Sequence, residues 1–520
     1  MEREMNKRPD LQKKLYARGF FFTDDVVDHL RYPFWGQWKK KTCGNGTLLV
    51  SPEQQWHALE NENCTMLLIG HAYDPISLVW EEHRILKDLC AFVMQQDWKL
   101  FFQKLNQLTG VFTIIWLYGG KVYLVGDATG MQTAFYTVQN GHYYISSHTN
   151  MIGDQLSLKW DEYVTRLANY RFFGLLGNAL PGDLTQFSNV KRLVPNHYME
   201  ITEQAAVAHR FYWPKNLHLS VEEVRDQTAR LLHNNLDLIT KKWGRPAISM
   251  TGGCDSKTTL ACAAGVYEKY QYFSYVSSEA ERIDAEAAGE ICRSLNLPHK
   301  IYQIPETDEA LPNIEETRKL LFWNTGAIRK NNSNDVRKRH VFADCQDFDV
   351  EVKSWVSEVG RAYYSKRFHG RTKFMDGPTP RACTTLYKFF LHNRKLVKDT
   401  DAVFQRYLRD FWQQDLEDPV PWQEQFFWEF RVPSWNGLVI TGEHRYSFDI
   451  TIPYNNRILL ELMLSVPIED RIKDRLHREM RECMNPMVDH CGIAVTNLKH
   501  TERRARMEDI YWILHSRVPF

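Results

Sequence analysis

The chain has 520 residues, 43% of them hydrophobic and 13% aromatic, so it can pack fully folded interiors but is too long for one ordinary core, and two or three domains are expected. Its 65 Lys and Arg against 64 Asp and Glu leave a formal net charge of +1, which excludes the broad basic footprint of a protein that binds bulk nucleic acid or a membrane surface. The ten cysteines contain no Cys-x-x-Cys pair, so neither a zinc ribbon nor a disulfide framework is expected, and reduced thiols in a cytoplasmic protein are the simpler reading.

In chain order, the charged start Met1-Glu2-Arg3-Glu4 has no apolar signal core. The most apolar run, 111–118, is stopped by Gly119-Gly120-Lys121, well short of the roughly 20 residues that a membrane helix needs. Four β-like runs follow one another at 108–116, 121–125, 134–136 and 142–147, joined by tight turns, and read as a meander. Further on, 246–250 is a short apolar strand, and Leu260, Ala261, Ala263, Ala264 and Val266 suit a helix packed on a sheet. A second strand is expected at 270–276, a second helix carrying Ile283, Ala287, Ile291 and Leu295, and a third strand at 299–304. Strand, helix, strand, helix, strand implies a parallel sheet whose ligand lies at the carboxyl ends of the strands.

The loop after the first of these strands, Ser249-Met250-Thr251-Gly252-Gly253-Cys254-Asp255-Ser256-Lys257, carries the chemistry. Gly252 and Gly253 let backbone approach phosphate, the hydroxyls of Ser249, Thr251 and Ser256 donate to its oxygens, and the following helix offers its positive end. Asp255 cannot hold an anion directly and is read as a ligand for the Mg²⁺ that accompanies ATP. The loop spells neither a Walker A motif nor a dinucleotide loop, whose lysine and third glycine fall at other spacings. Val276, at the end of the next strand, is a further nucleotide-binding candidate.

This loop resembles the pyrophosphate loop of enzymes that split ATP between its α and β phosphates. Around it lie Leu108-Thr109-Gly110-Val111-Phe112, Gly126-Asp127-Ala128-Thr129-Gly130, Ala134-Phe135-Tyr136, Ser147-His148, Phe211-Tyr212-Trp213-Pro214, Phe448-Asp449-Ile450-Thr451-Ile452-Pro453-Tyr454-Asn455-Asn456-Arg457 and Leu464-Ser465-Val466-Pro467. In order and spacing these resemble the asparagine synthetase-like family from about residue 100 onward. The resemblance implies an α/β fold: an α+β Ntn-hydrolase-like sandwich at 1–210, then an α/β pyrophosphate-loop ATPase domain with a parallel sheet and helical additions at 211–520.

Departures from the family pattern narrow the reading. A glutaminase of this class needs a cysteine as first mature residue, its free amine acting as base, whereas this chain opens Met1-Glu2 and its first cysteine is Cys43. The N-terminal domain is therefore expected to be a remnant without glutamine hydrolysis, and Cys43 an ordinary thiol. The family's second phosphate motif has its counterpart in residues 353–364, with Glu358 at the metal-binding aspartate, Tyr364 at the final tyrosine, Arg361 placed to neutralise leaving pyrophosphate, and most glycines replaced. Lys499, with Lys473 as alternate, stands near the family's late lysine that stabilises charge on the acyl-adenylate. The basic residues Arg329, Lys330, Arg337, Lys338 and Arg339 are expected on a solvated loop, with a fold over polyphosphate or an acidic substrate as the alternative.

The implied activity is an AMP-forming ligase that adenylates a small-molecule or peptide carboxylate with ATP and Mg²⁺ for attack by an amine, as in the β-lactam synthetases and lasso peptide cyclases that the chain resembles. An asparagine synthetase using ammonia and a non-catalytic nucleotide-binding scaffold are the alternatives, and a homodimer or a biosynthetic partner protein is compatible with each.

Overall fold

The computed structural model describes residues 5, 7–26, 37–367, 377–387, 393–412, 419–493 and 510. The first twelve strands among them form two antiparallel sheets: β1 Phe20–Thr23, β2 Lys39–Cys43, β3 Gly46–Val50, β4 Trp56–Glu60, β5 Cys64–Tyr73, β6 Thr109–Tyr118, β7 Lys121–Gly126, β8 Phe135–Gln139, β9 His142–Ser146, β10 Lys191–Arg192, β11 His197–Ile201 and β12 Ala206–Arg210. One sheet has the order β10-β8-β9-β1-β3-β2 and the other β12-β11-β7-β6-β5-β4. Side chains alternate between faces along a strand, and this period decides the layers. Phe20, Phe22, Leu48, Leu67, Ile115 and Ile145 fill the space between the sheets. Their neighbours Met66, Leu68, Phe112, Ile114 and Trp116 face outward and are covered by the helices Glu82–Met94 and Trp98–Gln107. On the far side Phe21, Leu49 and Tyr144 pack with Met151 and Ile152, and with Leu320 and Leu321 from the second half of the chain.

The expected meander is corrected here. β6 and β7 pair as one hairpin and β8 and β9 as another, but the hairpins belong to different sheets. The chain changes sheets at Asp127, whose buried carboxylate accepts the N–H groups of Thr129 (3.1 Å), Met131 (2.9 Å) and Gln132 (2.8 Å). Those bonds satisfy backbone that would otherwise have paired in a ladder and turn it out of the sheet.

The second half opens with the helix Val221–Lys242, started by a capping box between Ser220 and Glu223. It then builds a parallel sheet from β13 Pro246–Ser249, β14 Gln271–Val276, β15 Lys300–Gln303, β16 Val350–Val352 and β17 Asp449–Thr451, in the order β15-β14-β13-β16-β17. The order reverses between β13 and β16, and such a reversal leaves a crevice at the carboxyl ends of the strands.

Residues 453–457, noted in the sequence as part of a family-like block, lock the two halves together. Asn455 Nδ2 donates to the Gly110 carbonyl (2.6 Å) and its Oδ1 accepts from Thr129 (2.7 Å), while Asn456 Nδ2 donates to the Gln107 carbonyl (2.7 Å). The buried Arg457 donates to Asn196 Oδ1 (3.0 Å) and to the Gly126 and Asp127 carbonyls. Among the described residues no helix is long and apolar enough to cross a membrane.

Candidate nucleotide site

A cleft of about 320 Å³ opens at the β13–β16 crevice, and Ser249, Thr251, Gly253, Asp255, Ser256 and Glu358 are on its wall. The loop that leaves β13 is held by its own hydroxyls. Thr251 and Ser256 Oγ atoms lie 2.9 Å apart, Ser256 donates to the Thr251 carbonyl (2.8 Å), and the Gly253 N–H donates to Thr251 Oγ1 (3.1 Å). A Cβ on Gly253 would come within 3.1 Å of that same Oγ1 and push the Thr251 hydroxyl a few tenths of an ångström aside. The helix that follows, Cys254–Cys262, has Gly253 as its N-cap and no capping side chain. Its first N–H groups carry the positive end of the helix dipole, the arrangement that favours an anion. Gly252 N–H donates to Asp284 Oδ1 at 3.2 Å, and burial pushes the Asp284 carboxyl upward.

Asp255 is the hub of the acidic side. Arg361 Nη1 reaches its Oδ2 at 2.6 Å and Ser357 donates to its Oδ1 at 2.5 Å. Arg361 also grips Asp474 through Nε (2.8 Å) and Nη2 (3.0 Å), and Lys366 joins Asp474 at 2.5 Å. Arg361 thus spans two carboxylates and is absent from the cleft wall. His477, 3.7 Å from Asp255, is pushed down to about 4 by burial and is neutral at pH 7. Glu358 faces the same space; its Oε2 is shut off from solvent and has no hydrogen-bond partner among the described residues. Burial first, and the Asp255 charge second, push its carboxyl upward, as expected for two carboxylates that share a site.

The turn that carries Glu358 keeps a left-handed residue at one of the pattern's glycine positions. Val356, at the second glycine position of the family-like pattern, has φ +78°, and Ala362 has φ +54°. A β-branched residue in the left-handed region costs on the order of 1–3 kcal/mol. Packing compensates, since Val356 is fully buried.

The remaining sequence candidates fall as follows. Val276 is buried, its carbonyl accepts the Ile304 N–H at 2.8 Å, and its strand neighbours Ser274 and Tyr275 line the cleft instead. Lys473 is exposed at the end of the short helix Ile468–Ile472 and does not line the cleft. Lys499 lies outside the described residues. The expected solvated loop at 329–340 is corrected: Ser333–Val341 is a helix with Arg337, Lys338 and Arg339 buried. Arg329 pairs with Glu443, Lys338 with Glu281, and Arg337 with Asp308 at 2.9 Å, so these charges are neutralised within the fold. Sequence reading missed Glu281, Asp284, Lys353, Ser354 and Trp355 on the wall. The signal for the last three was available, because they begin the second motif.

In the N-terminal half, Cys43 ends β2 beside the Gly44-Asn45 turn, and burial pushes its thiol up to about 11. A thiol so raised carries almost no thiolate at pH 7. His148 Nδ1 lies 2.8 Å from Ser147 Oγ, which also accepts the Phe20 N–H at 2.9 Å.

No family model matches the chain. No curated relative matches it either. Solved structures with partial similarity include the allosteric regulatory enzyme of purine biosynthesis (10% identity, TM-score 0.24, 50% of this chain and 60% of that one). A second is glutamine phosphoribosylpyrophosphate amidotransferase from B. subtilis, complexed with ADP and GMP (10%, 0.22, 69% and 73%). A third is glutamine-dependent NAD+ synthetase from Acinetobacter baumannii, in complex with ADP (12%, 0.21, 55% and 70%). At these identities and scores the similarities assign neither activity nor ligand.

Proposed function

We propose that this chain is an ATP-dependent carbon–nitrogen ligase of the asparagine synthetase-like type, which activates a carboxylate as its adenylate and passes the acyl group to an amine without hydrolysing glutamine. The observation that carries this reading is the self-bonded loop of Thr251, Gly253 and Ser256, set with an uncapped helix end at the topological switch point of a parallel sheet. Asp255 and Glu358 support the Mg²⁺ expectation: one has an orphaned buried oxygen, and two carboxylates with phosphate oxygens make a donor set that Mg²⁺ accepts. When bound, the ion supplies positive charge to the β–α phosphate linkage as it breaks.

The protein's own part is positional. The loop hydroxyls and helix N–H groups would hold the departing pyrophosphate, so that the carboxylate oxygen of the acid attacks the α phosphorus and pyrophosphate leaves. An amine then attacks the acyl carbon, AMP departs with the original carboxylate oxygen, and the amine loses its proton. A small molecule or a peptide can supply both acid and amine. The N-terminal half supports a route without glutamine, because Cys43 is internal, buried and held as a thiol. Its sheets would serve instead as the platform on which residues 453–457 fix the ligase half.

The test is isotopic. With the acid labelled by heavy oxygen in its carboxylate, one label should appear in AMP; label in inorganic phosphate, with ADP as the other product, would refute the adenylate route.

A further inference from the structure

The cleft wall carries Asp255, Glu281, Asp284 and Glu358 but a single cation among the described residues, Lys353. Such a wall suits a polyanion only if that cation is turned to it. Lys353 directly follows β16, and one step beyond the last β13–β16 pair, Ile248 with Val352, sets it beside Ser249 at the crevice. Its side chain is 3% exposed. Nζ donates to Glu351 Oε1 at 2.7 Å and lies 5.2 Å from the centre of the Trp355 ring, another wall residue. An ammonium has three N–H donors, and this bond uses one. The partner carboxylate is itself incomplete, since Glu351 Oε2 is buried with no hydrogen-bond partner among the described residues. A surface ammonium would satisfy its remaining N–H groups with water, whereas Lys353 is buried on the wall of a cleft. The two N–H groups of Lys353 that this bond leaves over can be satisfied by an acceptor that enters the cleft.

We infer that Lys353 is the residue that reads the phosphate chain of the nucleotide, with Glu351 holding its ammonium toward the cleft. This rests on the proposed nucleotide site and adds to it a determinant that sequence reading did not find: the second motif begins with Lys353 where the family pattern has serine. The preference it confers is for a triphosphate over the bare nucleoside, because two N–H donors are available for phosphate oxygens and none is needed by the base.

The experiment is titration calorimetry of the full chain with ATP and with adenosine, in EDTA so that only protein contacts are read. Wild type should bind ATP more tightly than adenosine. Lys353→Gln should weaken ATP roughly 30- to 100-fold, as expected for losing charge-assisted bonds at a desolvated site, leave adenosine within twofold, and be partly rescued by Lys353→Arg. If the lone Glu351 carboxylate prevents folding of Lys353→Gln, the neutral pair Glu351→Gln with Lys353→Met should fold and lose ATP affinity to the same extent. Unchanged ATP affinity, or equal losses for ATP and adenosine, would overturn the inference. Wild type that binds neither ligand would instead sink the nucleotide site itself.

Discussion

Arg361 joins the two carboxylates beside the cleft, so Arg361→Met tests whether the site is built as described. Three charge-assisted hydrogen bonds disappear, one to Asp255 and two to Asp474. Each such bond contributes about 1.5–3 kcal/mol when well formed, and removing one partner of a buried ion pair costs about 3–5 kcal/mol. The Arg361, Asp255 and Asp474 side chains retain between 20% and 27% exposure, and Lys366 still holds Asp474. Solvent screening therefore places the loss at the lower end, about 3 kcal/mol. For a domain the size of residues 211–520, with an unfolding entropy of about 2.1 cal/mol/K per residue, that corresponds to a fall in Tm of roughly 5 °C. Matched urea unfolding of wild type, Arg361→Met, Asp474→Asn and the double variant gives the coupling directly. The double variant should lose at least about 1 kcal/mol less than the two single losses added together. Additive losses, or a single-variant loss below about 0.5 kcal/mol, would show that Arg361 does not organise these carboxylates.

Asp255→Asn should keep the fold and abolish pyrophosphate formation, a barrier increase on the order of several kcal/mol; turnover like wild type would contradict the role given to Asp255. Glutamine should yield no glutamate, with or without ATP, and Cys43→Ala should leave ligase activity unchanged, so glutamate release abolished by that substitution would reinstate a glutaminase. Burial, with Arg445 close by, pushes His148 down to about 3 from an ordinary 6.5. Its folded value lies below its unfolded one, so the unfolded chain alone takes up this proton between pH 6.5 and 3, and the stability contributed above pH 6.5 is lost as pH falls. Wild type should therefore lose about 1 kcal/mol more than His148→Gln between pH 6 and 5 in urea unfolding; parallel losses would mean that His148 is protonated in the fold.

Much of the second half was legible because its signals are local. The run 246–250, the two glycines after it and the helix that begins at Cys254 lie in one continuous segment, and β13, β14 and β15 fall within a residue or two of the expected strands. β16 and β17 are three residues each, too short for any periodicity to register, and they join the sheet only through partners about a hundred residues away. In the N-terminal half Phe20, Phe21 and Phe22 serve both faces of β1, inward to the other sheet and outward to the second half of the chain. An all-apolar triplet carries no alternation from which a strand could be read. The meander failed for a related reason, since hairpins in one sheet and hairpins in two look alike until the Asp127 carboxylate is seen turning the chain. Residues 329–340 looked solvated because of their charge, yet the carboxylates that neutralise them, Asp308, Glu281 and Glu443, are scattered over 163 positions of sequence.

Lys353 and Val356 mark where motif reading stops. A pattern match scores both as lost positions, a serine and a glycine replaced, but the backbone at Val356 still takes the left-handed turn. At Lys353 the substitution adds a buried charge to the cleft wall, which a pattern has no means of weighing.

The central claim is that ATP is cut between its α and β phosphates at the Ser249–Ser256 loop. Its most direct test is phosphorus NMR of ATP and Mg²⁺ incubated with the full chain and a small-molecule extract as the source of acid and amine, beside Asp255→Asn as control. The account predicts AMP and pyrophosphate in equal amounts with wild type and neither with the variant, whereas ADP and inorganic phosphate as the products would contradict it.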